Sequence, residues 1–273
     1  MAKNIYGAVG YTILKHPTTG KLIIIFADRH DNLNTCDDNI SMAEWMKLNM
    51  GECVVLLEEV PRIGVKLSEL WPTSIHTQDL KNLFLKHPKY IIGFDIRHLI
   101  MSFSWETINN NNKQILLYDY LKNIDEFFCL KNPYLKQQFT YYNFNNIKYT
   151  LIGEHYLILK NTYKNFLHKY KNFLHLPITT IKSKYENIFE ELNLILDKVM
   201  EWYGCGMCAL YKDTPVILHA GLAHTEYIVE ILQKHYKYIF ITEYGINDME
   251  KIDPFILSNG CVPNPQNKNH TSK

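Results

Sequence analysis

Hydrophobic and polar positions fall along this chain in blocks that switch between two rhythms. The first clear block is Leu22 to Phe26, Leu-Ile-Ile-Ile-Phe, which runs through Ala27 straight into Asp28, Arg29, His30 and Asp31. An unbroken apolar run of this kind is the composition of a strand buried on both faces, as in a parallel sheet with helices on either side. Before it, Tyr6 to Leu14 alternates loosely, and His16-Pro-Thr-Thr-Gly20 predicts the turn of a hairpin. After it, Ile40 to Met50 predicts a helix: Ser41 is placed as an N-cap with Glu44 three residues on, and Trp45, Met46 and Leu48 follow. Cys53 to Val60 repeats the opening theme, an apolar strand running into Glu58 and Glu59 and ended by Pro61 and Arg62. Thr77 to Lys86 sets Leu80, Leu83 and Phe84 on one helical face, and Tyr90 to Arg97 predicts a third strand with Asp95 and Arg97 at its end. That βαβαβ order predicts parallel pairing with right-handed crossovers.

The rhythm then changes. Asparagines at 109 to 112 mark a break, and from Lys113 to about Tyr203 the pattern is helical. Within this stretch Tyr-Lys-Asn-Phe-Leu-His occurs at 163 to 168 and again at 170 to 175; a seven-residue step returns to nearly the same helix face, which predicts a helical hairpin with an aromatic stripe. Thr214 to His219 resumes the sheet, Ala220 to Thr225 leads into an apolar helix over Tyr227 to Tyr236, and Tyr238 to Thr242 is the last predicted strand. The expected architecture is α/β, a mostly parallel sheet flanked by helices, with an N-terminal hairpin strand and a helical insertion. Residues 1–108 and 204–257 form the core, 109–203 the insertion and 258–273 a disordered tail.

Composition narrows the function classes. A hydrophobic share of 47% over 273 residues supplies a real core, and a net charge of +1 gives no overall field that selects nucleic acid or an anionic membrane. The sequence carries neither an apolar run of membrane-spanning length nor a signal-peptide pattern at its start, so the expectation is a cytoplasmic protein, or a virion protein if the source is viral. Six cysteines do not suggest a disulfide framework, and most are expected to be reduced and buried. Cys205-Gly-Met-Cys208 has redox-motif spacing but follows a helical stretch rather than a strand, which favours core cysteines. Lysines outnumber arginines 26 to 3, as in AT-rich genomes. Against that bias Arg29, Arg62 and Arg97 each fall past a predicted strand beside carboxylates, where a planar guanidinium suits an anionic substrate group. Residues 131–184 hold nine lysines against the single acid Glu154, a basic stretch suited to an acidic partner; with the aromatics read as core, nucleic acid is not the expected one.

The chemistry collects at the strand exits: Asp28 to Asp31, then Glu58, Glu59 and Arg62, then Asp95, Arg97 and His98, then His219 and His224, and Glu243. In an open α/β sheet the carboxyl ends of the strands are where ligands bind. A histidine beside a carboxylate is the usual general base, and His30 with Glu58 is the leading pair. His224, in the first turn of a helix, suits an oxyanion or phosphate. His30, Glu58, His224 and His219 are also of the right type for a divalent metal, although no fixed-spacing ligand pair is present.

The order of these motifs resembles the superfamily of erythromycin-esterase-like, haem-binding ChaN-like and TIKI/TraB proteins. Ala27-Asp28-Arg29-His30-Asp31-Asn32 is similar to its strand-ending Gly-Glu-Xaa-His-Asp-Asn, Leu57-Glu58 to its Leu-Glu, Gly221-Leu222-Ala223-His224 to its late Gly-Xaa-Xaa-His, and Gly93-Phe94-Asp95 to a Gly-Phe-Asp of the esterase branch. The likeness covers about residues 20–100 and 214–245 and leaves the insertion unmatched. It implies a hydrolase of ester or peptide bonds acting on a small-molecule or peptide substrate, with His30 as base on a water, Glu58 orienting it and His224 as a second catalytic or ligand group; some branches use a divalent metal. Ala27 and Asp28 depart from the motif's glycine and glutamate, and Asp28 is the shorter acid. The rival expectation is an inactive relative that binds an acidic partner, or builds a structure, through the basic insertion.

Overall fold

The computed structural model describes residues 2–31, 33–58, 75–101, 114–129, 151–211, 213–253 and 258–266. The chain divides into two compact units, Met1–Asp95 with Met207–Lys273, and Ile96–Gly206.

The first unit is built from β1 (Asn4–Tyr6), β2 (Gly10–Lys15), β3 (Leu22–Asp28), β4 (Asn39–Ser41), α1 (Met42–Asn49), β5 (Val54–Leu57), α2 (Ile75–Lys86) and β6 (Ile91–Gly93). Strand β2 turns through Gly20, whose φ of 73° lies in the left-handed region that favours glycine, and returns as β3 in antiparallel register from Gly10↔Ala27 to Lys15↔Leu22. Ser41 caps α1 as its sequence predicts, accepting the Glu44 amide at 3.2 Å. The predicted strand to Arg97 stops at Gly93, and Phe94 extends the ladder by one amide bond to Leu57.

The second unit holds α3 (Arg97–Ile100), α4 (Leu117–Phe128), α5 (Leu151–Lys169), α6 (Ile178–Lys184) and α7 (Glu186–Leu210). Aromatic rings pack it: Phe128 stacks on Tyr163 at 5.0 Å, and Trp202 lies 5.5 Å from Tyr156. The repeated hexapeptide does not make two helices. Its first copy ends α5, whereas the second lies in the connection, with a single 3-10 turn at Lys171–Phe173. There Tyr170 leaves helical backbone, its hydroxyl donates to Glu191 at 2.7 Å, and Phe173 packs on Tyr185 at 5.0 Å; tertiary contacts override the heptad spacing. Of the basic stretch 131–184, residues 131–150 lie outside the described residues, and Lys169 is paired with Glu191 at 2.7 Å.

The chain returns to the first unit as β7 (Val216–Gly221), α8 (Leu222–Lys234), β8 (Ile239–Gly245) and β9 (Cys261–Pro263). The main sheet has the order β6-β5-β7-β3-β2-β8. The pairs β6–β5, β5–β7 and β7–β3 are parallel, but β2 is antiparallel to both β3 and β8. The sheet is therefore mixed rather than mostly parallel. A six-residue connection can join only antiparallel strands, so the hairpin places one reversed strand in the row, and β8 pairs with that strand. One face buries Tyr11, Phe26, Val55 and Leu57 with Trp45 and Leu80 of α1 and α2; on the other, Val9 and Ala27 pack with Leu222 of α8.

The predicted tail is partly ordered. Strand β9 pairs with β1, which also pairs with β4, and Val262 and Asn264 are buried. Composition alone predicts disorder here, but Val262 supplies an apolar anchor and Asn264 accepts from Trp45 Nε1 at 3.2 Å. A disulfide joins Cys36 to Cys261, while Cys53, Cys129, Cys205 and Cys208 carry none, so most of the cysteines are reduced as expected and one pair is not. Cys205 and Cys208 are buried core residues, and burial pushes the Cys208 thiol up to about 12. Among the described residues no helix is long and apolar enough to cross a membrane.

Candidate active site

The exits of β3, β5 and β7 converge at one edge of the sheet because these three strands are neighbours and run the same way. Glu58 continues the β5 ladder, its amide donating to the His219 carbonyl at 3.1 Å. Gly221 ends β7 and caps α8, so His224 falls in the first turn of that helix.

Asp28 is the centre of the arrangement and is fully buried. Its Oδ1 accepts from His76 Nε2 at 2.8 Å and from the Arg29 amide at 2.7 Å, while Oδ2 lies 3.1 Å from His30 Nδ1. Burial by itself would raise the Asp28 pKa; hydrogen bonds from His30 and His76 and the nearby His219 and His76 charges outweigh it and hold the carboxyl well below the usual carboxylate range. An ionised carboxylate only accepts, so His76 Nε2 carries the hydrogen of its bond to Oδ1. His30 Nδ1, 3.1 Å from Oδ2, faces a negative charge that favours a hydrogen on that nitrogen.

His30 itself has φ 58°, the left-handed region that non-glycine residues rarely occupy. That backbone turns the ring across the strand exit, 36% exposed, so that Nε2 stands 3.7 Å from Glu58 Oε2. The gap exceeds hydrogen-bond length and leaves the nitrogen uncommitted to that oxygen. Glu58 is held from the other side: Gly221 N donates to Oε2 at 2.6 Å, and His224 Nε2 is 3.5 Å from Oε1. A series of alternating imidazoles and carboxylates results, His76, Asp28, His30, Glu58, His224. Gly221 is required by space, since a Cβ there would lie 2.6 Å from His30 Nε2.

The remaining expected residues are placed as follows. Arg29 lies on the site's rim, with Nε 3.1 Å from Asp31 and Nη1 donating to Ser258 Oγ at 3.0 Å and to the Asp253 carbonyl at 3.3 Å, so its guanidinium fastens the C-terminal segment. His219 is buried and its Nε2–H donates to the Gly7 carbonyl at 3.0 Å, which removes that nitrogen as a metal donor. Asp95 is buried at the end of β6. Arg97 belongs to the second unit, where Nη1 donates to Asp197 at 2.7 Å. Glu59 and Arg62 lie outside the described residues. His76 is the residue that sequence reasoning missed: it sits in the first turn of α2, and only the fold shows that this turn meets β3.

The four nominated donors do not fit a metal centre. Among the described residues no three His, Cys, Asp or Glu side chains form a group able to hold an ion. One His219 nitrogen is spent on a carbonyl, and His30 Nδ1 faces Asp28. The arrangement supports proton transfer, with an ionised buried carboxylate beside one nitrogen of a partly exposed imidazole and a second carboxylate 3.7 Å from the other.

The depressed Asp28 sets an acid limit. Stability from this group is fully present above the ordinary carboxylate pKa of about 4 and is lost as pH falls toward the lower folded value. Denaturant melts of the wild type are expected to shift to lower midpoints from about pH 4 downward, and the same acid shift should be smaller in Asp28→Asn. Equal acid shifts in the two proteins would show that Asp28 carries no such linkage.

No protein-family model, curated protein or solved structure matches this chain.

Proposed function

We propose that the chain is a hydrolase of ester or amide bonds in which His30 Nε2 is the general base. The observation that carries the reading is the Asp28–His30 pair: a buried carboxylate lies 3.1 Å from Nδ1 of a partly exposed histidine held in a rare backbone conformation beside a second carboxylate. Backbone strain at a chemically loaded position is characteristic of working sites.

In this reading a water approaching the substrate carbonyl gives a proton to His30 Nε2 as its oxygen forms the new C–O bond. Asp28, charged throughout, stabilises the imidazolium across Nδ1. The carbonyl π electrons move to oxygen, and His224, at the positive end of α8, is the group placed to stabilise that oxyanion. Collapse expels the alcohol or amine, which takes the proton back from His30. Glu58, locked by the Gly221 amide, orients the approaching water and the His224 ring. The motif likeness at Asp28 to Asn32, Leu57-Glu58 and Gly221 to His224 points the same way.

The test is a panel of aryl esters, alkyl esters and peptide amides incubated with the purified chain in H2 18O. Acid product carrying one solvent oxygen is expected, at a rate that a strong chelator leaves unchanged, because among the described residues no three donors form a group able to hold an ion. Release of no acid from any member by folded protein overturns the hydrolase reading, and loss of rate with chelator overturns the metal-independent part of it.

A further inference from the structure

Strand β8 closes one edge of the main sheet, paired with β2 on one side and, among the described residues, with no strand on the other. All seven of its residues are exposed, including Ile239, Phe240 and Ile241 at 47% each and Tyr244 at 46%. At about 3.4 Å per residue it offers roughly 24 Å of open backbone donors and acceptors. Proteins ordinarily blunt such an edge with a short strand or with charge. The opposite edge, β6, is only three residues long, whereas β8 carries a single charge, Glu243, among apolar side chains.

We infer that β8 is the interface of a homodimer in which two copies pair antiparallel about a two-fold axis and join their sheets edge to edge. Charge selects a second copy, and selects that direction. Lys237 and Lys234, the latter 3.8 Å from Glu230, precede the strand and Lys15 lies alongside its start on β2, whereas Glu243, Asp248 and Glu250, followed by the single base Lys251, lie at or beyond its end. Antiparallel pairing brings the basic end of each copy to the acidic end of the other, and parallel pairing would set like against like. An axis beside Phe240 sets Lys237 of one copy at the level of Glu243 of the other, with Ile239 near Ile241 and Phe240 near its own equivalent. An isologous contact of this kind uses up the open edge in both copies, so assembly stops at two.

The register of β8 on β2 supplies a clean variant, because it shifts between Ile13 and Leu14 and Ile241 has no partner residue on β2. Ile241→Lys therefore places a charge on the outer edge without removing a β2 pair. Sedimentation of the full chain, in a Cys129→Ser background that removes the exposed free thiol, should give twice the 32.2 kDa chain mass. Ile241→Lys should raise the dissociation constant at least about tenfold. Lys237→Glu and Glu243→Lys should each weaken the dimer, and the two together should restore it. A wild type that stays at chain mass up to about 100 µM, a dimer indifferent to Ile241→Lys, or a charge swap without rescue overturns the proposal. Capture of an added strand-forming peptide by a monomeric wild type would assign the edge to another partner.

Discussion

His30→Ala and Asp28→Asn are each expected to lower kcat/KM on the best ester by about 10³- to 10⁴-fold, and the double variant to fall little further. The first removes the base. The second leaves an imidazole in place but faces it with an amide, whose NH2 group can only donate, so the ring adopts the tautomer with its proton on Nε2, where the lone pair is needed. Because the two residues act as one device, their losses should not add. The stabilities should separate them. His30 is 36% exposed and its loss is mild, whereas Asp28 receives His76, His30 and the Arg29 amide inside the protein. Removing that charge is expected to cost about 3–5 kcal/mol. Steady-state kinetics with urea melts of the three variants checks both halves, and additive rate losses or a near-wild-type Asp28→Asn rate would contradict the pairing.

Gly221→Ala is expected to keep the fold and lose about 10²-fold or more in kcat. The new methyl would sit 2.6 Å from His30 Nε2 and 3.4 Å from Glu58 Oε2. Real contacts of this type are not that short, so something moves, and the piece free to move is the tip of the half-exposed His30 ring rather than the buried strand β7. Displacing the ring by a fraction of an ångström to an ångström takes Nε2 off the line between Asp28 and the substrate. A melting temperature close to wild type with the rate lost is the signature. A fully active Gly221→Ala would show that His30 Nε2 is not where the chemistry happens.

How much of this was legible in the sequence depended on how local each signal was. The apolar run of β3, the Ser41 cap and the hairpin turn are written within a few residues, and each appears where it was expected. The convergence of Asp28, Glu58 and Gly221 was legible because buried parallel strands leave their charges at one edge. His76 was not, since nothing near it in the chain announces that the first turn of α2 meets β3. The pairing of β8 with the reversed hairpin strand, the second repeat copy leaving the helix at Tyr170, and the anchoring of Val262 are likewise decided by neighbours distant in sequence. Cys36 and Cys261 are 225 residues apart, a separation at which spacing says nothing. Arg29, read from rarity as a substrate anchor, spends its guanidinium on Asp31, Ser258 and the Asp253 carbonyl.

The place of β7 between β3 and β5 bears on how the protein comes into being. During synthesis β2, β3, β5 and β6 all emerge before the strand that lies between β3 and β5 in the sheet, which is encoded more than a hundred residues after β6. Until β7 is made, the edges of β3 and β5 that it will join have no strand between them. The edge that carries Asp28 and Glu58 is therefore completed only when β7 enters between β3 and β5, a pairing across a long stretch of intervening chain.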